Sequence, residues 1–134
     1  MHIHERRAAL ETAPNPDSSL DYVISLSGTI QTEITLIPHT NVSVDLRYVP
    51  DREITMPAPW RIYLDVLGEQ KWETLEELSV TVLADINDQL IPRWMELCVT
   101  SLTGLANHSI MLNESQPGWN NPSIQTKMIR PQEN

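Results

Sequence analysis

At 134 residues, 40% of them hydrophobic and 20% charged, the chain has the length and balance of one globular domain with its own core, which excludes a disordered protein. Its formal net charge of −9 repels phosphate backbones; Lys and Arg are scattered, Arg6-Arg7 is the one adjacent pair, and nucleic acid is excluded as an expected partner. No run reaches the length of a membrane span, no signal-peptide pattern opens the chain and the single Cys98 excludes an internal disulfide, so a cytoplasmic location is the expectation.

Residues 1–19 read as an N-terminal arm, with a short helix around Arg6 to Glu11 and a turn-rich stretch from Pro14 to Ser19. Leu20 to Ser27 alternates, Tyr22, Ile24 and Leu26 against Asp21, Ser25 and Ser27, and predicts a strand. Gly28 to Thr32 is expected to turn the chain, Glu33 to Ile37 to run extended, and Pro38-His39-Thr40-Asn41 to break it again. Val42, Val44, Leu46 and Tyr48 then alternate with Ser43, Asp45 and Arg47, the clearest strand pattern of the chain.

Trp60, Tyr63, Leu64 and Leu67 predict a short helix closed by Gly68. A long amphipathic helix follows over Thr74 to Leu90: Leu75, Leu78, Val82, Leu83, Ile86 and Leu90 recur at spacings of three and four. Glu73, Glu77, Thr81, Asp85, Asp88 and Gln89 take its polar side. Thr74 with Glu77 fits a capping box, and Pro92 stops the helix. Pro92 to Leu102 predicts a further strand, with Met95, Leu97 and Val99 opposite Glu96 and Cys98, and Ser109 to Asn113 another. Residues 20–113 thus form the domain, and 114–134, rich in Ser, Gln, Pro, Gly and Asn, are expected as a loose tail. The element order predicts an α+β fold with helices on one face of an antiparallel sheet, and the apolar residues on several strands suggest a homo-oligomer using the other face.

Four segments in register, Glu11-Thr12-Ala13-Pro14-Asn15-Pro16 leading to Leu20-Asp21-Tyr22-Val23-Ile24, Leu46-Arg47-Tyr48-Val49-Pro50-Asp51, Arg61-Ile62-Tyr63-Leu64 and Pro92-Arg93-Trp94-Met95-Glu96, resemble the NADPH-dependent 7-cyano-7-deazaguanine reductases of queuosine biosynthesis. The resemblance implies a tunnelling fold: a four-stranded antiparallel sheet with two helices, whose subunits join edge to edge into β-barrels and hold a purine-like or pterin-like ligand at their interfaces. It places the family's ligand-anchoring glutamate on Glu76, whose carboxylate accepts two hydrogen bonds from adjacent N–H groups of an aminopyrimidinone. Without the resemblance, Glu76 is an ordinary first-turn glutamate favoured by the helix dipole.

The resemblance stops at the chemistry. The family reduces a nitrile after a cysteine thiolate adds to it, and the corresponding segment here, Ile30 to Leu36, has no cysteine. Cys98 lies on a later strand and is expected as a small core residue. The family's histidine before the anchor is Leu75 here, its proton-donating aspartate falls near Thr40, and its NADPH motif aligns with Met56 to Arg61 and keeps only the basic Arg61. The glycine-rich segment after the third main strand has become Thr103 to Asn107.

Other constellations are sparse. His39 near Glu33 and Thr40 is a candidate acid/base pair, with a solvated turn histidine as the alternative. His2 and His4, with His39 or His108, have no spacing on a rigid element that would preorganise zinc, so no metal is expected. Three readings remain: a heterocycle-binding relative without reductase activity and without NADPH; an enzyme using His39, Glu33 and Glu76; or a structural subunit completed by a cysteine-bearing paralogue.

Overall fold

The computed structural model of the chain describes residues 3–128. In chain order the elements are α1 (Ile3–Ala9), β1 (Thr12–Pro14), β2 (Ile24–Ile34), β3 (Ile37–Val49), β4 (Glu53–Thr55), α2 (Pro57–Gly68), β5 (Lys71–Trp72), α3 (Leu75–Leu90), β6 (Trp94–Ser101), β7 (His108–Ser115) and α4 (Pro122–Met128). The main sheet runs β5-β2-β3-β6-β7, with β2, β3, β6 and β7 antiparallel and the two-residue β5 added in parallel at the edge; β1 and β4 form a separate small ribbon. The fold is mixed α+β as expected, and the four long antiparallel strands carry a fifth, short one.

Because side chains alternate across a pleated sheet, the register sorts the sequence onto two faces. On one face the rows Leu26, Leu46, Leu97, Leu112 and Gly28, Val44, Val99, Ile110 run across the sheet. Onto them pack Trp60, Tyr63, Leu64 and Leu67 of α2 and Leu75, Leu78, Val82, Ile86 and Leu90 of α3, forming one core. The opposite face carries Ser25, Arg47, Glu96, Asn113 and Ser27, Asp45, Cys98, Met111, and it is almost wholly polar. The apolar strand residues anticipated for that face are consumed by the helices instead.

Two breaks placed by the sequence pattern are absent. β2 runs straight through Gly28, because the glycine serves a close approach: a Cβ there would lie 2.4 Å from Leu64 Cδ1 of α2. The chain reverses instead at Thr35-Leu36, a two-residue hairpin with both φ positive, at 51° and 64°, in residues that carry no sequence signal for it. Thr35 is held there by its N–H to Trp72 O (3.0 Å) and its hydroxyl to Glu73 O (2.7 Å). Pro38 to Asn41 lies within β3, where an irregular register between Thr32 and Ile34 accommodates His39 at φ 58°. Gly68 likewise ends α2 without a left-handed cap; it lets the helix meet β2, since a Cβ would sit 2.8 Å from Gln31 O.

The long helix has the ends written in its sequence. Thr74 Oγ1 accepts from the Glu77 N–H at 3.0 Å, and Ile91, left-handed at φ 43°, precedes Pro92. Asp85, expected on its polar side, is instead fully buried. It accepts from Arg6 (Nε 2.5 Å, Nη2 3.0 Å), Arg7 Nε (2.9 Å) and Tyr63 Oη (2.7 Å), so α1 docks on α2 and α3 through one carboxylate. The hydrogen bond to Asp85 raises the Arg6 guanidinium pKa, and burial pushes the Tyr63 hydroxyl well above its ordinary value.

The segment after β7 is also tied down. Arg93 donates to Asp21 Oδ1 (2.9 Å), Asp51 Oδ1 (3.3 Å) and the carbonyls of Leu20 and Ser18. Asn121 and Trp119 donate to Asp21 Oδ2, and Gln116 to Asp51 Oδ2 and Ile91 O. Residues 114–121, anticipated as part of a loose tail, therefore extend β7 to Ser115 and then close over the Arg93 cluster. Among the described residues no helix is long and apolar enough to cross a membrane.

Two outcomes follow for stability. Asp85→Ala leaves Arg6 and Tyr63 buried without their acceptor and is expected to cost about 3–5 kcal/mol in urea denaturation; a loss below about 1 kcal/mol contradicts the cluster's role. The Asp21 carboxyl is held below the usual carboxylate range by hydrogen bonds from Asn121, Arg93 and Trp119. Its contribution is therefore complete above the ordinary carboxylate pKa and lost as pH falls through the depressed value. Acid unfolding of Asp21→Asn, followed by circular dichroism below pH 4, should lack that component; an unchanged profile refutes it.

Candidate functional site

The core does not fill the helix-facing side of the sheet to its end. The last row of the register, Ile30, Val42, Ser101 and His108, still points towards the helices, and Thr32 with Thr40 lies one step beyond. There the β2–β3 hairpin, the first turn of α3 and the β6–β7 connection stand apart and enclose a cavity of about 360 Å³. That volume suits a small-molecule ligand. Ile34, Ile37, Leu75 and Ala106 give it apolar walls, and Thr40, Thr103, Glu76 and His108 are among its polar groups.

Glu76 is thus placed in a cavity wall. It occupies the first turn of α3, where the helix dipole favours a negative charge, and its side chain is 61% exposed. Its Oε2 lies 3.2 Å from His108 Nε2 at the start of β7. An ionised carboxylate accepts only, so the hydrogen between them belongs to the imidazole. His108 was considered in the sequence only as a possible metal ligand, and its role beside Glu76 went unread. The signal was present: stepping back by two from Leu112 and Ile110, which face the core, reaches His108 on the same side.

Thr40, near which the resemblance puts the reductases' proton donor, is buried at the cavity and donates from Oγ1 to Ile37 O at 3.0 Å. Leu75, in the place of the family's histidine, is buried in both the cavity wall and the core. His39 and Glu33 do not form an acid/base pair: His39 is exposed at the irregularity in β3, Glu33 is half-buried on β2 opposite Lys71, no hydrogen bond or ion pair joins them, and neither lines the cavity. The hairpin sets their backbones across from one another at the irregularity without joining the side chains.

Arg61 lies on α2, away from Glu76. Its Nε and Nη2 donate to Asp65 Oδ1 (3.1 and 2.9 Å), and its Nη1 donates to Thr29 O (3.1 Å). The segment from Met56 to Arg61 forms the proline-rich start of α2, and its cation is already committed to protein oxygens. These residues do not fit the phosphates of NADPH. Cys98, expected in the core, faces the open polar side between Asp45 and Met111, half-buried, and is no part of the cavity. The alternation that buries Leu97 and Val99 turns it outward. His4 lies in α1 and His2 outside the described residues; among the described residues no three His, Cys, Asp or Glu side chains group for a metal.

No family model and no curated protein matches the sequence. Among solved structures, the chain is similar to an archaeosine synthase QueF-Like in the apo form, at a TM-score of 0.64 and 14% identity, over 76% of this chain and 98% of that one. What the two share, at this identity, is the fold.

The placement of Cys98 has a direct consequence: a small thiol reagent should modify it stoichiometrically in the native protein. A requirement for denaturant contradicts its position on the open face.

Proposed function

We propose that this chain is a tunnelling-fold subunit that binds a planar purine-like or pterin-like heterocycle in the Glu76 cavity, at an interface with a second copy of itself, and that it does not reduce nitriles. The observation that carries this reading is the exposed carboxylate of Glu76 in the wall of a cavity of ligand size. A carboxylate with two free lone-pair sites matches the adjacent N–H donors of an aminopyrimidinone edge, and the isoleucine and leucine walls match its flat faces. The sequence's resemblance to the 7-cyano-7-deazaguanine reductases directs the choice of ligand to 7-deazaguanines, and the fold shared with an archaeosine synthase is compatible with it.

Against nitrile reduction stands the content of the site. Covalent capture of a nitrile needs a thiolate within bonding reach, and the cavity is lined by hydroxyls, an imidazole and a carboxylate, none of which is a comparably strong nucleophile at neutral pH. Cys98 faces the other side of the sheet. The cavity opens to solvent on one side, which leaves room for a neighbouring subunit to close it. Retention of Glu76 without the thiol is the pattern of a site that holds the base and performs no reduction.

Calorimetric titration with 7-cyano-7-deazaguanine should give saturable binding to the wild type, and Glu76→Ala should weaken it by at least about tenfold, the scale of a hydrogen bond to a charged group. NADPH added with the nitrile should remain unoxidised. Absence of heat with the wild type, or steady NADPH consumption, contradicts the proposal.

A further inference from the structure

Resting on that reading, the structure assigns a second residue to the site: His108 is a positioning residue that fixes the Glu76 carboxylate for its ligand. The two side chains come from opposite walls, Glu76 from the first turn of α3 and His108 from the first residue of β7, and they meet with Nε2 and Oε2 3.2 Å apart. Neither is placed by chance. The register of β7 on β6 sets His108 opposite Ser101, in the row that faces the helices. The cap of α3, through Thr74 and Glu77, fixes the turn that carries Glu76.

A glutamate in a first helical turn, more than half exposed, has three side-chain torsions to order before it can present both oxygens to a ligand, and each disordered torsion weakens binding. The imidazole N–H occupies one lone pair of Oε2 and restricts that freedom. Oε1 and the remaining lone pair of Oε2 stay available, which suits a ligand edge with two adjacent N–H donors and disfavours one that presents acceptors. Among the described residues no other titratable group lines this cavity: the hairpin contributes Ile34, Thr35, Ile37 and Thr40, and the β6–β7 connection contributes only uncharged residues. The carboxylate therefore has His108 as its polar protein partner and its other acceptor sites free for the ligand.

The test compares wild type, His108→Gln and His108→Ala in titrations with 7-cyano-7-deazaguanine. His108→Ala should weaken binding by about fivefold to tenfold, the scale of one ordinary hydrogen bond, while His108→Gln, whose amide still donates, should stay within about threefold of wild type. Equal affinity of His108→Ala and wild type, or an equal loss in both variants, overturns the assignment. Should the wild type bind no ligand, the heterocycle reading alone fails, and the pair is read in the free protein from the imidazole 15N resonances of His108. Glu76→Gln should shift the Nε2 resonance and Glu77→Gln should leave it in place; insensitivity to Glu76→Gln overturns the pairing.

Discussion

The fold depends on one buried carboxylate. Asp85 sits in the middle of α3 with no exposure to water, a position that is tolerable for a charge only when it is paired and fully hydrogen-bonded. Arg6, Arg7 and Tyr63 supply those bonds from two other helices. The N-terminal helix is too short to be stable by itself, and these contacts, together with the packing of Leu10 into the core, give it a place to form. The same contacts fix α3 in rotation and height over the sheet. Because Glu76 is carried by the first turn of α3, fixing the helix also sets the distance between Glu76 and His108 of β7, and hence the cavity.

The site is a product of mismatch between layers. β2 and β3 run to a hairpin held by Trp72 and Glu73, where Ile34 still reaches the core beside Trp72 and Leu75. Beyond Ile30 the row is finished by Thr32 and Thr40, whose hydroxyls hydrogen-bond to backbone carbonyls and avoid leaving buried polar groups without partners. The turn residues Thr35 and Leu36 and the nearby His39 all take positive φ, so strained backbone is concentrated at this end of the molecule. Strain of that kind persists where surrounding contacts over-determine it, and it is common beside ligand sites.

How much of this was legible in the sequence varied with the physical source of each feature. The strands around Val42 to Tyr48 and Met95 to Val99, and the caps of α3, follow from local periodicity and local hydrogen bonding, and both were readable. Gly28 was misread as a turn because a glycine that admits a neighbouring helix looks, in sequence, like one that admits a bend. Asp85 was misread as solvent-facing because its partners lie far away in the chain. Thr35-Leu36 gave no warning, since a type of turn that favours Asn or Gly is here imposed by contacts with β5. At the cavity, the resemblance singles out Glu76, which the structure places in the wall, whereas His108 needed the register of β7 to show which way it points. His39 and Glu33 face each other across the β2–β3 irregularity, yet no hydrogen bond or ion pair joins them and neither lines the cavity.

The polar open face of the sheet and the cavity of the opposite face divide the molecule's chemistry, with Cys98 on the first and Glu76 on the second. The second face is the one proposed to hold a flat heterocycle by its donor edge. The most direct measurement is a crystal structure of the protein soaked with 7-cyano-7-deazaguanine. The base should lie between the walls formed by Ile34, Ile37 and Leu75, with two N–H groups on the Glu76 carboxylate and His108 Nε2 still bonded to Oε2. A base bound elsewhere, or one whose carbonyl edge faces Glu76, would contradict it.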